Sequence, residues 1–259
     1  MLRVIIMTQQ DRFFIPENIQ KIIDHSEVLM IVNVDVDSSL QNKVSDFIKW
    51  FGFLQVAKMG LITVKRSLLG YLDKCFNYRL KNGFCGVEHV AKKNNIPYKT
   101  IHSSNSKEFI DIVESVTPDL ILSFSAPEII KQPLLSIPKY GILNVHGSYL
   151  PEYRGCMPSF WQLNNEEEYA GATVHFMSQK IDDGDILVQE KVYIGDCESV
   201  MDVISRTKDK GGDLMVKAIK AIENEEISRL PNDTSKGKYY SWPTVEDAKE
   251  FKSKNYRLV

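Results

Sequence analysis

The chain has 259 residues, 43% of them hydrophobic and 25% charged, with a formal net charge of −2. This length fits one large domain, or a domain with a small appendage, and buries a sizeable core without disulfides or metals. The near-neutral balance exerts no overall pull on nucleic acid.

Cys75, Cys85, Cys156 and Cys197 form no C-x-x-C pair, so a cysteine zinc site is not expected and no metal is called for. Sparse cysteines suit a reducing compartment. No stretch approaches about 18 uninterrupted apolar residues, and the N-terminal apolar run is too short for a signal-peptide core. A cytoplasmic chain with no membrane partner is expected.

In chain order, residues 4–7 read as a buried strand. Residues 17–24 follow Pro16 and carry Ile19, Ile22 and Ile23 at helical spacing. Residues 28–34 are strand-like, and residues 40–53 have a helical period. Residues 56–75 are apolar, with Lys65, Arg66 and Lys74 interspersed, and predict one or two helices. Residues 87–94 predict a helix ending before Pro97, and residues 98–101 a strand. Residues 106–116 predict a helix capped by Ser106, with Phe109, Ile112 and Val113 inward. Strands follow at 120–124, 142–145, 173–177 and 186–192, then a long helix over 199–223.

Strands alternating with helices predict an α/β fold: a doubly wound, mostly parallel, Rossmann-like sheet that binds ligands along the strand C-terminal edge. The expected division is a catalytic domain over 1–224 and a short, polar C-terminal appendage over 225–259. The turn after the first strand is Thr8-Gln9-Gln10-Asp11-Arg12, without glycine. A pyrophosphate needs glycine there for close backbone approach, so a tightly bound dinucleotide is not expected.

The informative segment ends an apolar strand in Asn144-Val145-His146 and continues into a loop shaped by Gly147, Pro151 and Gly155. Residues two apart on a strand share a side, so Asn144 and His146 project together. Further on, Asp182-Asp183-Gly184-Asp185 offers carboxylates on a glycine-containing loop. An amide donor, a histidine and a carboxylate form a coherent set for acyl transfer. Asn144 can hydrogen-bond a carbonyl oxygen and the oxyanion that replaces it. His146 can take a proton, and Asp182 can orient the ring. Ser148 lies nearby but not in a G-x-S-x-G elbow, so direct attack by a bound amine is the simpler scheme. The plain alternatives are a structural histidine and a solvated or Ca²⁺-binding acidic turn.

The run from Asn144 to Gly155, followed by Ile181-Asp182-Asp183-Gly184-Asp185-Ile186-Leu187, closely resembles the N10-formyltetrahydrofolate-dependent formyltransferases. The similarity extends through Pro118-Asp119-Leu120-Ile121-Leu122-Ser123 and the stretch 134–141. The resemblance implies the formyltransferase fold, N10-formyltetrahydrofolate as donor, and catalytic roles for Asn144, His146 and Asp182. It also implies folate contacts at Phe124, Ser125, Ala126, Pro127 and Ile129, and at Met177, Asp182 and Asp183. Phe124-Ser125-Ala126-Pro127 departs from the Ala-Tyr-Gly pattern of tRNA-specific members.

The length and the ending from Tyr239 to Phe251 look most like bacterial sugar N-formyltransferases, which implies a nucleotide-sugar amine as acceptor and a homodimer. Candidate acceptor contacts are Gly147, Ser148, Tyr149, Arg154 and Arg12, the arginines as partners for a pyrophosphate. Tyr239, Tyr240 and Trp242 could stack on a base, pack the tail or line a dimer interface. Alternatives are a methionyl-tRNA-type formyltransferase, a formyltetrahydrofolate hydrolase, and a non-catalytic binding protein of the same fold. No nucleic-acid partner is expected.

Overall fold

A computed structural model describes residues 1–36, 44–78, 85–125 and 127–259, and the backbone of residues 40–43. The chain runs β1 (Arg3–Thr8), α1 (Ile15–Ile23), β2 (Glu27–Val34), α2 (Leu40–Phe51), α3 (Phe53–Cys75), α4 (Val87–Lys93), β3 (Tyr98–Ile101) and α5 (Lys107–Val116). It continues through β4 (Leu120–Phe124), β5 (Ile142–His146), β6 (Arg154–Gly155), α6 (Pro158–Asn164), β7 (Tyr169–Phe176), β8 (Ile186–Tyr193), α7 (Val200–Glu223), β9 (Tyr239–Tyr240) and α8 (Val245–Ser253).

Seven strands form the central sheet in the order β3-β2-β1-β4-β5-β7-β8. From β3 to β5 every neighbouring pair is parallel; β7 and β8 are added antiparallel. The two-residue period of β1 feeds two cores. Val4 and Ile6 meet Ile15, Ile19, Leu214 and Met215 on one face, and Ile5 and Met7 meet Phe109 and Val113 on the other. Helices therefore cover both faces, as the alternating pattern predicts. Strand order reverses between β1 and β4, and such a switch point opens a crevice at the strand C-terminal ends.

Local signals explain most boundaries. The Ser106 hydroxyl accepts the Phe109 N–H at 3.3 Å and caps α5. Ser199 caps α7 in the same way, accepting the Asp202 N–H at 3.1 Å. The periodic run expected over 40–53 breaks at Gly52, whose φ of +84° suits glycine, so α2 stops and α3 starts there. The segment 56–75 then belongs to one helix. β5 runs one residue beyond the expected strand and takes in His146.

The segment after Glu223 packs back on the body. Leu230 bridges Ile186, and β9 pairs with β6. A capping box of Thr244 and Asp247 starts α8. Phe251 is fully buried there, stacked on Phe160 at 4.6 Å and edge-on to Phe51 at 5.8 Å. Two tail aromatics stack on the body, the half-exposed Trp242 on Trp50 and Tyr240 on Tyr153. Replacing a buried phenylalanine by alanine costs about 3–5 kcal/mol. Phe251→Ala is therefore expected to lower the unfolding free energy of the whole chain by that amount in a urea titration. A change below about 1 kcal/mol would mean that the tail unfolds separately.

Candidate active site

β5 delivers Asn144 and His146 to the crevice on one side of the strand, both more than nine-tenths buried. The antiparallel register sets His175 of β7 opposite Asn144 and Thr173 opposite His146. Nε2–H of His146 donates to the Tyr153 carbonyl at 2.8 Å. A carbonyl only accepts, so the neutral ring leaves Nδ1 unprotonated. Nδ1 faces Oδ2 of Asp182 at 3.5 Å. A proton taken up at Nδ1 is therefore held against a carboxylate.

Asp182 reaches this position through backbone geometry. Its own φ is +48°, a left-handed conformation that aspartate tolerates. Gly184 sits so close to the end of β7 that a Cβ there would lie 1.8 Å from the Phe176 carbonyl oxygen. The Gly155 N–H donates to Oδ2 of Asp182 at 2.9 Å, and Nδ2 of Asn232 donates to the Asp182 carbonyl at 2.9 Å. The carboxylate is thus fixed from the β6 loop and the tail together.

His175 orients Asn144. Its Nδ1–H donates to the Phe176 carbonyl at 2.9 Å, so Nε2 is a bare lone pair. Nδ2 of Asn144 donates to that lone pair at 3.2 Å. The second N–H of the same amide remains for the cavity. Oδ1 of Asn144 is buried without a partner among the described residues. Burial pushes the His175 pKa down to about 4, against the opposing pull of Asp182. The ring is neutral near pH 7, which keeps its acceptor role.

The crevice is a cavity of about 530 Å³, within the range of small-molecule sites. Asn144, His146, Asp182, Phe124, Ser125, Pro127, Ile129, Met177 and Gly147 all line it. Asp183 stands off the lining and faces Lys180 at 3.9 Å. Ala126 lies outside the described residues. Four residues read as acceptor contacts also lie off the lining. Ser148 is buried, its hydroxyl donating to the Glu152 carbonyl at 2.6 Å. Tyr149 is partly exposed beneath the Lys191 ammonium. Arg154 reaches the Thr234 carbonyl at 3.5 Å, and Arg12 the Cys85 carbonyl at 3.5 Å.

Three further polar residues shape the site: His175, Asn232 and Lys208. Lys208 of α7 lines the cavity, and its ammonium donates to the Ser125 hydroxyl. Burial pushes its pKa down, against the pull of the Asp11 charge. Its signal in the sequence was a lysine one position after Thr207, on the inner side of a long amphipathic helix. Cys156 also lines the cavity, and burial and the Asp182 charge push its thiol pKa up, away from nucleophilic thiolate. Among the described residues no histidine, cysteine or acidic cluster is arranged to hold a metal ion.

A doubly wound sheet carrying an amide donor, a histidine and a carboxylate at its crevice offers the groups that acyl transfer to an attacking amine calls for. The sequence profile of the formyl transferase family matches residues 54–219, well over half the chain, and the chain belongs to that family. Methionyl-tRNA formyltransferase of Alkaliphilus oremlandii is 34% identical over 153 residues, 59% of this chain and 49% of its own length. The chain spans about half the length of the curated relatives it matches. Its fold is shared with glycinamide ribonucleotide transformylase 1 of Symbiobacterium toebii, with a TM-score of 0.61 and 16% identity over 90% of this chain and 95% of that one. It is shared too with an N-formyltransferase of Helicobacter canadensis in complex with folinic acid and dTDP-3-aminofucose, with a TM-score of 0.60 and 16% identity over 96% of this chain and 79% of that one.

The neutral state of His175 gives a pH prediction. The folded pKa of about 4 lies below the ordinary value of 6.5, so the unfolded chain takes up the proton first. The stability tied to the neutral ring is complete above about pH 6.5 and drains away as pH falls toward 4. Denaturant titrations at pH 7, 6 and 5 are expected to show a loss in the wild type that is smaller in His175→Gln. Equal losses in both proteins would remove His175 as the cause.

Proposed function

We propose that this protein transfers a formyl group from N10-formyltetrahydrofolate to a primary amine, and that the amine belongs to a nucleotide-linked amino-deoxy sugar. The observation that carries the reading is the meeting of Asn144, His146 and Asp182 in one cavity, with His146 Nδ1 and Asp182 Oδ2 3.5 Å apart.

The residues present fit a folate. The cavity has room for a flat ring with polar edges, and its lining includes the apolar Phe124, Pro127 and Ile129 beside the polar Ser125. The partnerless Oδ1 of Asn144 also calls for a donor from a ligand. When bound, the folate supplies an activated formyl carbonyl and leaves as a secondary amine. The free N–H of Asn144 donates to the formyl oxygen as charge builds on it. His146 accepts the proton that the attacking amine sheds, and Asp182 holds the resulting imidazolium. The new amide C–N bond forms as the old bond breaks, and the proton returns to the departing folate nitrogen.

Two features support a nucleotide sugar. Lys208 offers one cavity-facing ammonium for a phosphate. The net charge of −2 suits a small anionic acceptor better than a polyanion. Methionyl-tRNA is the second reading, because curated relatives of about 34% identity carry that name.

The test measures tetrahydrofolate release from N10-formyltetrahydrofolate alone, with a panel of amino-sugar nucleotides, and with methionyl-tRNA. Release only with an amino-sugar nucleotide is expected. Release without an amine would indicate hydrolysis, and release only with the charged tRNA would select the second reading. Asn144→Ala, His146→Ala and Asp182→Ala are each expected to lower turnover at least about a hundredfold. Near-normal turnover in His146→Ala would overturn the mechanism. Lys208→Met is expected to raise the acceptor KM by about tenfold or more, and by more than the folate KM, the scale of one charged hydrogen bond.

A further inference from the structure

We infer that α3 is a self-pairing helix that joins two copies of this chain through a parallel coiled-coil seam. α3 is 23 residues long, about 34 Å at the helical rise. One side is tied to the body. Oε1 of Gln55 accepts the Val259 N–H at 3.2 Å, and Arg66 donates to the Arg12 carbonyl at 2.6 Å and lies over the Phe13 ring. Val56 and Met59 pack on the core formed with α6 and α8, and Asp73 pairs with His89.

The opposite side carries Leu54, Ala57, Leu61, Val64, Leu68, Tyr71 and Cys75, spaced three and four residues apart over three heptads. Leu54, Leu61, Val64, Leu68 and Tyr71 are between 58% and 76% exposed. The outer face of a surface helix is ordinarily polar. These side chains offer on the order of 500 Å² of apolar surface, the upper end for a monomer and near the ~800 Å² per partner of a stable interface.

The spacing specifies the occupant. A strict seven-residue repeat drifts about 20° per heptad from a straight helix, so it matches a second helix wound along α3 better than a flat surface. The stripe is complementary to itself, with leucine meeting leucine and valine meeting valine at successive layers. Charge selects the parallel arrangement. There Lys58 flanks Phe53 of the other copy and Lys65 flanks Gly60, whereas the antiparallel alignment sets Lys58 beside Lys65. The stripe contributes nothing to the cavity lining, so pairing leaves the site open.

Light scattering with size exclusion, at 5 to 100 µM protein (concentrations on the order of ordinary interface affinities), tests the seam independently of catalysis. The wild type is expected to run as a dimer, and Leu61→Glu/Leu68→Glu as a monomer with unchanged far-UV circular dichroism. Copper-phenanthroline oxidation is expected to link the wild-type dimer through Cys75, which stacks on its counterpart in the parallel seam, and to leave Cys75→Ser unlinked. A wild type monomeric throughout, a double variant that stays dimeric, or a dimer that Cys75 does not link would overturn the parallel seam. A monomer that co-sediments with anionic lipid vesicles would overturn it in favour of a membrane surface.

Discussion

The Asp182 carboxylate accepts the Gly155 N–H at 2.9 Å and faces His146 Nδ1 at 3.5 Å, and through that contact three distant segments become one site. His146 belongs to β5, Gly155 to β6, and Asp182 to the turn between β7 and β8. The backbone N–H locates the carboxylate, and the carboxylate gives the ring its charge partner. Two glycines are what permit this. Gly155 sits at φ +99°, where a Cβ would lie 2.1 Å from the Tyr240 carbonyl oxygen, and Gly184 leaves no room beside Phe176. A side chain at either position would move the turn and separate the carboxylate from the imidazole.

The same crevice concentrates buried polar groups, which are costly when unsatisfied, at about 1–3 kcal/mol each. His175 resolves part of that cost by giving Asn144 a lone pair to donate to, and it does so only while neutral. Both rings stand near Asp182, His146 Nδ1 at 3.5 Å and His175 Nε2 at 3.7 Å, and in His175 burial outweighs the pull of the carboxylate. Two histidines on neighbouring strands are therefore held differently, one as a fixed acceptor and the other with an unprotonated Nδ1 facing a carboxylate.

Much of this was legible in the sequence, and the reason is local. Asn144 and His146 sit on one strand, where a period of two fixes their common side without tertiary knowledge. Ser106 and Ser199 cap their helices through contacts three residues away. The doubly wound sheet follows from strands and helices alternating at short spacing. His175 was not legible as a partner of Asn144, because the pairing depends on an antiparallel register between β5 and β7. Arg154 and Arg12 read as anion contacts by charge alone; both lie off the cavity lining, and each reaches one backbone carbonyl at 3.5 Å. Lys208 lines the cavity from a helix whose periodicity marks it only as amphipathic. Position along a helix says which side a lysine occupies, not what stands across the gap.

The tail shows how the support of the three site residues divides within the fold. Asn144 and His146 ride on a strand held by neighbours on both sides, so their spacing is insensitive to loops. Asp182 depends also on Asn232, whose Nδ2 donates to the carbonyls of Asp182 and Gly184, and Asn232 belongs to the segment anchored by Phe251. Gly237 presses on the Pro151 carbonyl from the same segment, and β9 pairs with β6 beside Gly155. The tail therefore braces the loop that supplies the Gly155 N–H and the turn that supplies the carboxylate. Loss of tail packing would loosen Asp182 while leaving Asn144 and His146 in register. The amide of Asn144 is thus built into the sheet, and the carboxylate of Asp182 is held by the periphery.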